Sequence, residues 1–219
     1  MSAREKILKA ADELFGEVGF DAATTREIAR RSGVNKALIH YHFETKEALL
    51  SHVLDRYYGR LSETLNESIG AGDTVRERIV RMVDGYMDFL DANRNFSRIV
   101  QREASGGGNL ERIRRHMKPL FEIGKRLLVE TYPATRSGEL AAEQLLITFY
   151  GMIVGYFSYD AVLEYLLQTD PLSPKNLAAR KRHIVRVIDL VITAVELEAK
   201  QAGKAVKKKP KGRKNAAKR

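Results

Sequence analysis

The chain has 219 residues, 44% hydrophobic and 30% charged, a composition that fits one large or two small globular domains and excludes a mostly disordered chain. It holds no Cys, which removes disulfides, thiolate nucleophiles and cysteine-ligated zinc together. The net charge of +10 is unevenly placed: residues 203–219 carry nine cations and no acid, which leaves only +1 on residues 1–202. Such a Lys-rich tail cannot bury a core, and it is expected to be disordered. The first residues are charged, with no apolar signal-type run, and the longest uncharged stretch, Gln144 to Tyr159, is shorter than the ~20 residues a membrane helix needs. A soluble, cytoplasmic protein with no membrane partner is expected.

In chain order, Ile7, Leu8, Ala11, Leu14, Phe15 and Val18 recur at helical spacing, and Gly19 supplies a stop. Thr24 and Glu27 have the spacing of a capping box, in which each side chain bonds the other's free backbone N–H. The helix they open carries Ile28 and Ala29 and ends at Ser32-Gly33. Asn35 is a good N-cap for a third helix with Leu38, Ile39 and Phe43, and Thr45 caps a fourth running to about residue 68. Gly70-Ala71-Gly72-Asp73 marks a domain junction. Helical stretches follow over 74–92, 95–104, 109–131, 137–168 and 175–201, with Pro119 expected to kink or split the third of these. No run alternates with period two, so the fold class is all-α. The division is an N-terminal helical domain at 1–50, a linking helix at 46–68, a larger helical domain at 73–202, and the tail.

Two short helices about a tight turn at Gly33 read as a helix-turn-helix. Val34 and Ile39 would wedge between them, leaving Lys36, Ala37 and His40 outward at the start of the second helix, the end that reads bases in a major groove. Arg26, Arg30, Arg31 and Lys36 lie within residues 22–43 against one acid, Glu27, an arrangement that would offer a positive edge to a phosphate backbone.

At these residues the chain resembles the TetR family of bacterial repressors. The likeness lies in Ala11, Leu14 and Phe15 (A-x-x-L-F), Gly19-Phe20, Thr24 to Ala29 (T-x-x-x-I-A), Gly33-Val34, Tyr41 and Phe43 (Y-x-F), and Lys46 to Leu49 (K-E-x-L). The resemblance implies that Thr24, Thr25, Asn35, Lys36, Ala37, His40, Tyr41, His42 and Lys46 meet DNA. Lys36 and Ala37 would hold the base-reading positions, and Thr25, Tyr41, His42 and Lys46 would contact phosphates. Ala37 stands where the family often has Gly, and His40 where it often has Tyr.

The same resemblance implies a C-terminal domain that dimerises and encloses an effector. Residues 145–157 are apolar almost all round, with Gly151 and Gly155 allowing close helix approach. The last helix offers Ile184, Val187, Ile188, Val191, Ile192 and Val195 as a second stripe. A two-fold homodimer through these two helices of each chain is expected, with Gly151, Gly155, Val187 and Val191 at its interface. Met82, Tyr86, Phe89, Phe96, Val100, Met117, Phe121 and Phe149 are the expected pocket residues, suited to an apolar or amphipathic effector.

His40-x-His42 lacks a third ligand, and two residues two apart on a helix point different ways, so no metal or cofactor is expected. Gly106-Gly107-Gly108 lacks phosphate-loop spacing. The expectation is a ligand-responsive repressor that binds a palindromic operator as a dimer and is not an enzyme. An architectural DNA-coating protein using the tail, or a helical enzyme using the C-terminal cavity, are the alternatives.

Overall fold

The computed structural model describes residues 1–70, 74–105 and 110–208. The expected junction at residues 71–73, the glycine run at 106–108 and the tail from 209 onward lie outside the described residues. Ten helices are present among the described residues: α1 (Ala3–Val18), α2 (Thr25–Ser32), α3 (Lys36–Phe43), α4 (Lys46–Gly70), α5 (Val75–Ala92), α6 (Arg94–Ser105), α7 (Leu110–Thr131), α8 (Ala142–Ser158), α9 (Asp160–Leu167) and α10 (Pro174–Lys208). A short 3₁₀ turn, Pro133–Arg136, precedes α8.

Helix α1 begins where Ser2 and Glu5 exchange hydrogen bonds, the Glu5 carboxylate accepting from Ser2 N at 2.7 Å. Its apolar stripe, Ile7, Leu8, Ala11, Leu14 and Phe15, is buried against α2, α3 and the first turns of α4. Burying each large side chain of this kind stabilises by about 1.5–3 kcal/mol. Helix α4 then continues as a spine. Leu49, Leu50, Val53 and Leu54 complete the N-terminal core, while Tyr58 and Leu61 join the core beneath α5 to α8 and α10. One continuous buried cluster therefore runs from Ile7 to Ile188, and the second body is locked to the first by α4 and by α6, which packs on α1.

Four expectations need correction. Pro119 neither splits nor ends α7; the helix runs through it. The stretch 137–168 is two helices, α8 and α9, bent by 75° where Tyr159 leaves helical geometry at φ −111°, ψ 26°. Helix α8 starts at Ala142, after a turn in which Gly138 takes φ +92°. Helix α10 continues to Lys208, so residues 203–208 are helical and not part of an unstructured tail.

No single described helix is long and apolar enough to cross a membrane; α8 and α9 reach that length and composition only as a bent pair.

Candidate nucleic-acid interface and internal cavities

The turn between α2 and α3 depends on Gly33 at φ 65°, ψ 27°, a left-handed conformation that carries little penalty without a Cβ. Its N–H and that of Val34 close the C-terminus of α2 on Ala29 and Arg30 carbonyls. Asn35 Oδ1 accepts from Ala37 N at 2.9 Å and starts α3. Ile39 and Phe43, four apart, are 1% and 2% exposed and pin α3 to the core. The opposite side of α3 carries Lys36, Ala37, His40 and Tyr41, all exposed, with Tyr41 80% exposed. His42 is half-buried, edge-on to Tyr41 at 5.1 Å. A short helix held by one apolar edge and bare on the other has the shape that enters a major groove.

The polar side chains around it divide between fold and surface. Thr24 Oγ1 accepts from Glu27 N at 3.2 Å, so half of the expected capping box forms. The other half does not, because the Glu27 carboxylate turns to Arg30 at 2.6 Å and Arg31 at 3.0 Å. Those two guanidinium groups hold the Glu27 carboxyl at about 2, well below its ordinary range. Arg31 also reaches Glu17 at 2.8 Å, tying α2 to α1. Of the four cations expected at the positive edge, Arg26 and Lys36 are exposed and carry no ion pair among the described residues. Thr25 is half-buried in the first turn of α2, where unpaired backbone N–H groups suit a phosphate.

Lys46 is placed differently from expectation. Its ammonium donates to the carbonyls of Phe20 at 2.8 Å and Ala23 at 2.9 Å and sits 4.2 Å over the Phe20 ring. It closes the α1–α2 loop, and a phosphate would have to draw it away from those carbonyls.

The second body forms a cavity of about 170 Å³ between α4, α5, α7, α8 and α10. Met82, Tyr86, Met117, Phe121 and Phe149 line it together with Leu146, Ile188 and Val195, and no charged side chain lines it. Gly124 is needed here, because a Cβ would stand 2.9 Å from Leu146 Cδ2. Phe96 and Val100 line instead an adjoining chamber of about 330 Å³, bounded by Tyr58, Ser97, Gln101 and the outer turns of α8. Tyr86, Met117 and Tyr150 belong to both walls and separate the two spaces. Phe89 lines neither; it is 6% exposed and packs edge-on against Phe96 at 5.5 Å.

The stripe expected on the outside of α10 faces inward. Ile184, Ile188 and Val195 are buried within the chain, and Val191 lines the inner cavity. Val187 is half-buried. The outward face carries Leu190 and Leu197, both more than half exposed. Beside it, Ile147 and Gly151 of α8 are exposed, and a Cβ on Gly151 or Gly155 would meet nothing within 4 Å. Helix α9 continues the apolar surface with Val162, Tyr165, Leu166 and Leu167, each more than half exposed. Among the described residues no three His, Asp or Glu side chains gather as metal ligands.

Residues 7–53 match the family described as bacterial regulatory proteins, tetR family, and residues 76–188 match the tetracyclin repressor-like C-terminal domain. The chain belongs to the TetR family. Among its relatives, the HTH-type transcriptional activator FasR of Mycolicibacterium smegmatis is 31% identical over 97 residues, 44% of each chain. The tetracycline repressor protein class A from transposon 1721 of Escherichia coli is 30% identical over 119 residues, 54% of each chain. The TetR-family chain thus spans about half the length of the curated relatives it matches. The fold extends further. The crystal structure of FadR from Bacillus subtilis in complex with stearoyl-CoA superposes with a TM-score of 0.69 at 19% identity, covering 84% of this chain and 96% of that one.

Two features of the site escape sequence reasoning. The engagement of Lys46 with loop carbonyls has no local signal, since its partners lie more than twenty residues away. The second chamber depends on α6 crossing α8, a packing that periodicity alone does not encode.

Proposed function

We propose that this TetR-family chain is a cytoplasmic transcriptional repressor that binds a palindromic duplex operator as a homodimer and is released by an apolar or amphipathic small molecule. The observation that carries this reading is the bare face of α3, where Lys36, Ala37, His40 and Tyr41 stand clear of a helix that Ile39 and Phe43 hold rigidly. Lys36 is the candidate for reading guanine, and Thr25, Tyr41 and His42 are candidates for phosphate contacts, whereas Thr24 and Asn35 contribute through the helix ends they cap.

Dimerisation is supported by the apolar surface of α8, α9 and the outer side of α10, where Ile147, Gly151, Leu190 and Leu197 would meet their two-fold copies. An apolar effector is supported by the uncharged lining of the inner cavity, and the neighbouring FadR fold is seen with stearoyl-CoA, a ligand with a long apolar chain.

Helix α6 supplies a route between the two ends. Its face Phe96, Ser97, Val100, Gln101 and Ala104 walls the outer chamber. The opposite face meets α1: a Cβ on Gly16 would stand 2.7 Å from Asn95 Oδ1, and Arg102 Nη2 donates to the Glu17 carbonyl at 3.0 Å. A ligand that fits only one position of α6 would bias α1, and with it α3, by its difference in affinity for the two positions. The test is selection from random-sequence duplexes followed by footprinting. The account predicts one palindrome whose half-sites lie one helical turn apart (~34–36 Å). Uniform coverage without an enriched sequence would support a DNA-coating protein instead.

A further inference from the structure

The ammonium of Lys46, at the first residue of α4, has three N–H donors, and three backbone carbonyls converge on it: Phe20 at 2.8 Å, Ala23 at 2.9 Å and, more distantly, Asp21 at 3.5 Å. The Phe20 ring closes a further side, its centroid 4.2 Å from Nζ. A phosphate ligand needs donors that point outward. On Lys46 the donors already have backbone acceptors, and the side chain is half-buried.

The contact with Ala23 bears on the start of α2. The Ala23 carbonyl and the Thr24 N–H belong to one trans peptide plane and point in opposite directions, so holding the carbonyl sets the direction of the N–H. Ala23 is 2% exposed, whereas Thr24 is exposed. That N–H is left open because Glu27, which a full capping box would turn back to it, is held by Arg30 and Arg31. Thr24 Oγ1 accepts from Glu27 N and starts the helix whose first turn holds Thr25. Lys46 thus fixes the entry to α2 from the far end of α3.

Resting on the reading of α2 and α3 as the helices that face DNA, we propose that Lys46 is a positioning residue: by holding the loop carbonyls it aims the Thr24 N–H and the Thr25 side chain at the DNA backbone, and it makes no phosphate contact of its own. Arginine would not replace it in this role. A planar guanidinium does not present three converging donors as an ammonium does, yet it serves a phosphate at least as well.

The experiment measures the affinity of the full chain, by fluorescence anisotropy over a series of salt concentrations, for a labelled duplex carrying the sequence that the wild type selects. The proteins are the wild type, Lys46→Met, Lys46→Arg, Thr25→Ala and the Thr25→Ala/Lys46→Met pair, at a temperature where circular dichroism shows each to be folded. Both Lys46 variants are expected to lose about fivefold or more, the size of one or two displaced hydrogen bonds. The slope of log affinity against log salt should be the same in Lys46→Met as in the wild type. Thr25→Ala should cost less in the Lys46→Met background than in the wild type, since residues that act through one another are not additive. A slope shallower by ~0.9 for each phosphate lost, or full affinity in Lys46→Arg, makes Lys46 a phosphate ligand and overturns the proposal. Wild-type affinity in Lys46→Met, or losses at Thr25 and Lys46 that simply add, makes it a closure of the loop with no part in DNA binding through α2, and overturns the proposal as well. If Lys46→Met does not fold, Lys46→Arg decides alone: a loss supports the proposal and full affinity overturns it. If the wild type binds no duplex, the reading of α2 and α3 fails too, a result distinct from any loss confined to the Lys46 variants.

Discussion

In the N-terminal head, Ile7, Phe15, Ile28, Ile39 and Phe43 are 2% exposed or less and fill the space between α1, α2, α3 and α4 with one another. In the C-terminal body, Tyr86, Phe121, Phe149 and Ile188 surround a space of about 170 Å³. Both regions are helical and both are apolar inside, so composition does not separate them. They differ in whether side-chain volume closes the gaps. A dense head holds α3 in one orientation, as a groove-reading helix requires. A body with cavities gives up packing energy and keeps room for a guest, and a guest that fits one arrangement of helices better than another would shift the balance between them.

The comparison breaks most visibly if the head is made to resemble the body. Phe15 is fully buried at the centre of the head, and Phe15→Ala should destabilise the chain by about 3–5 kcal/mol. Thermal denaturation followed by circular dichroism checks this; a shift of only a degree or two would mean that the head tolerates a void as the body does.

Gly16 sits on the seam between the two regions. Gly16→Ala places a methyl against Asn95 in α6 and should destabilise by about 1–3 kcal/mol, as overpacking does. Its sharper signature is functional: effector should release the variant from DNA less completely than the wild type. Equal release, measured by fluorescence anisotropy of a labelled duplex, would remove α6 from the path between cavity and DNA.

The smallest effect concerns the cationic C-terminal segment, whose first residues, 203–208, end α10. Removing residues 203–219 takes away nine cations, so affinity for any duplex should fall. The salt dependence should become shallower, by up to ~0.9 log unit per log salt for each phosphate that the tail neutralises. The preference for operator over random duplex should survive; its disappearance would give the tail a part in sequence reading.

The head is largely legible in the sequence because its determinants are local. The spacing of Ile7 to Phe15, the Thr24 cap, the left-handed Gly33 and the pair Ile39 and Phe43 each act within one helix or one turn. Competition between local partners accounts for the half-formed capping box: Glu27 has two guanidinium groups within four residues, and they displace the backbone N–H of Thr24. The body is legible only in part. Five of the expected pocket residues face the inner cavity, but Phe89, Phe96 and Val100 do not, because α5 and α6 each bury more than one face and periodicity cannot say which apolar stripe meets the void. Val191 lies inside rather than at the outer surface for the same reason. The bend at Tyr159 carries no Gly or Pro, so its cause is tertiary and no local signal announces it.

The most direct test of the account is the affinity of the full-length Lys36→Ala/Tyr41→Ala variant for a duplex carrying the sequence that the wild type selects. Both side chains are exposed, so the fold should be untouched by circular dichroism and melting temperature. Operator affinity should fall by at least about tenfold, given ~1–3 kcal/mol for one base-reading pair and a further decrease at the backbone. Wild-type affinity in the variant would place DNA recognition somewhere other than the bare face of α3.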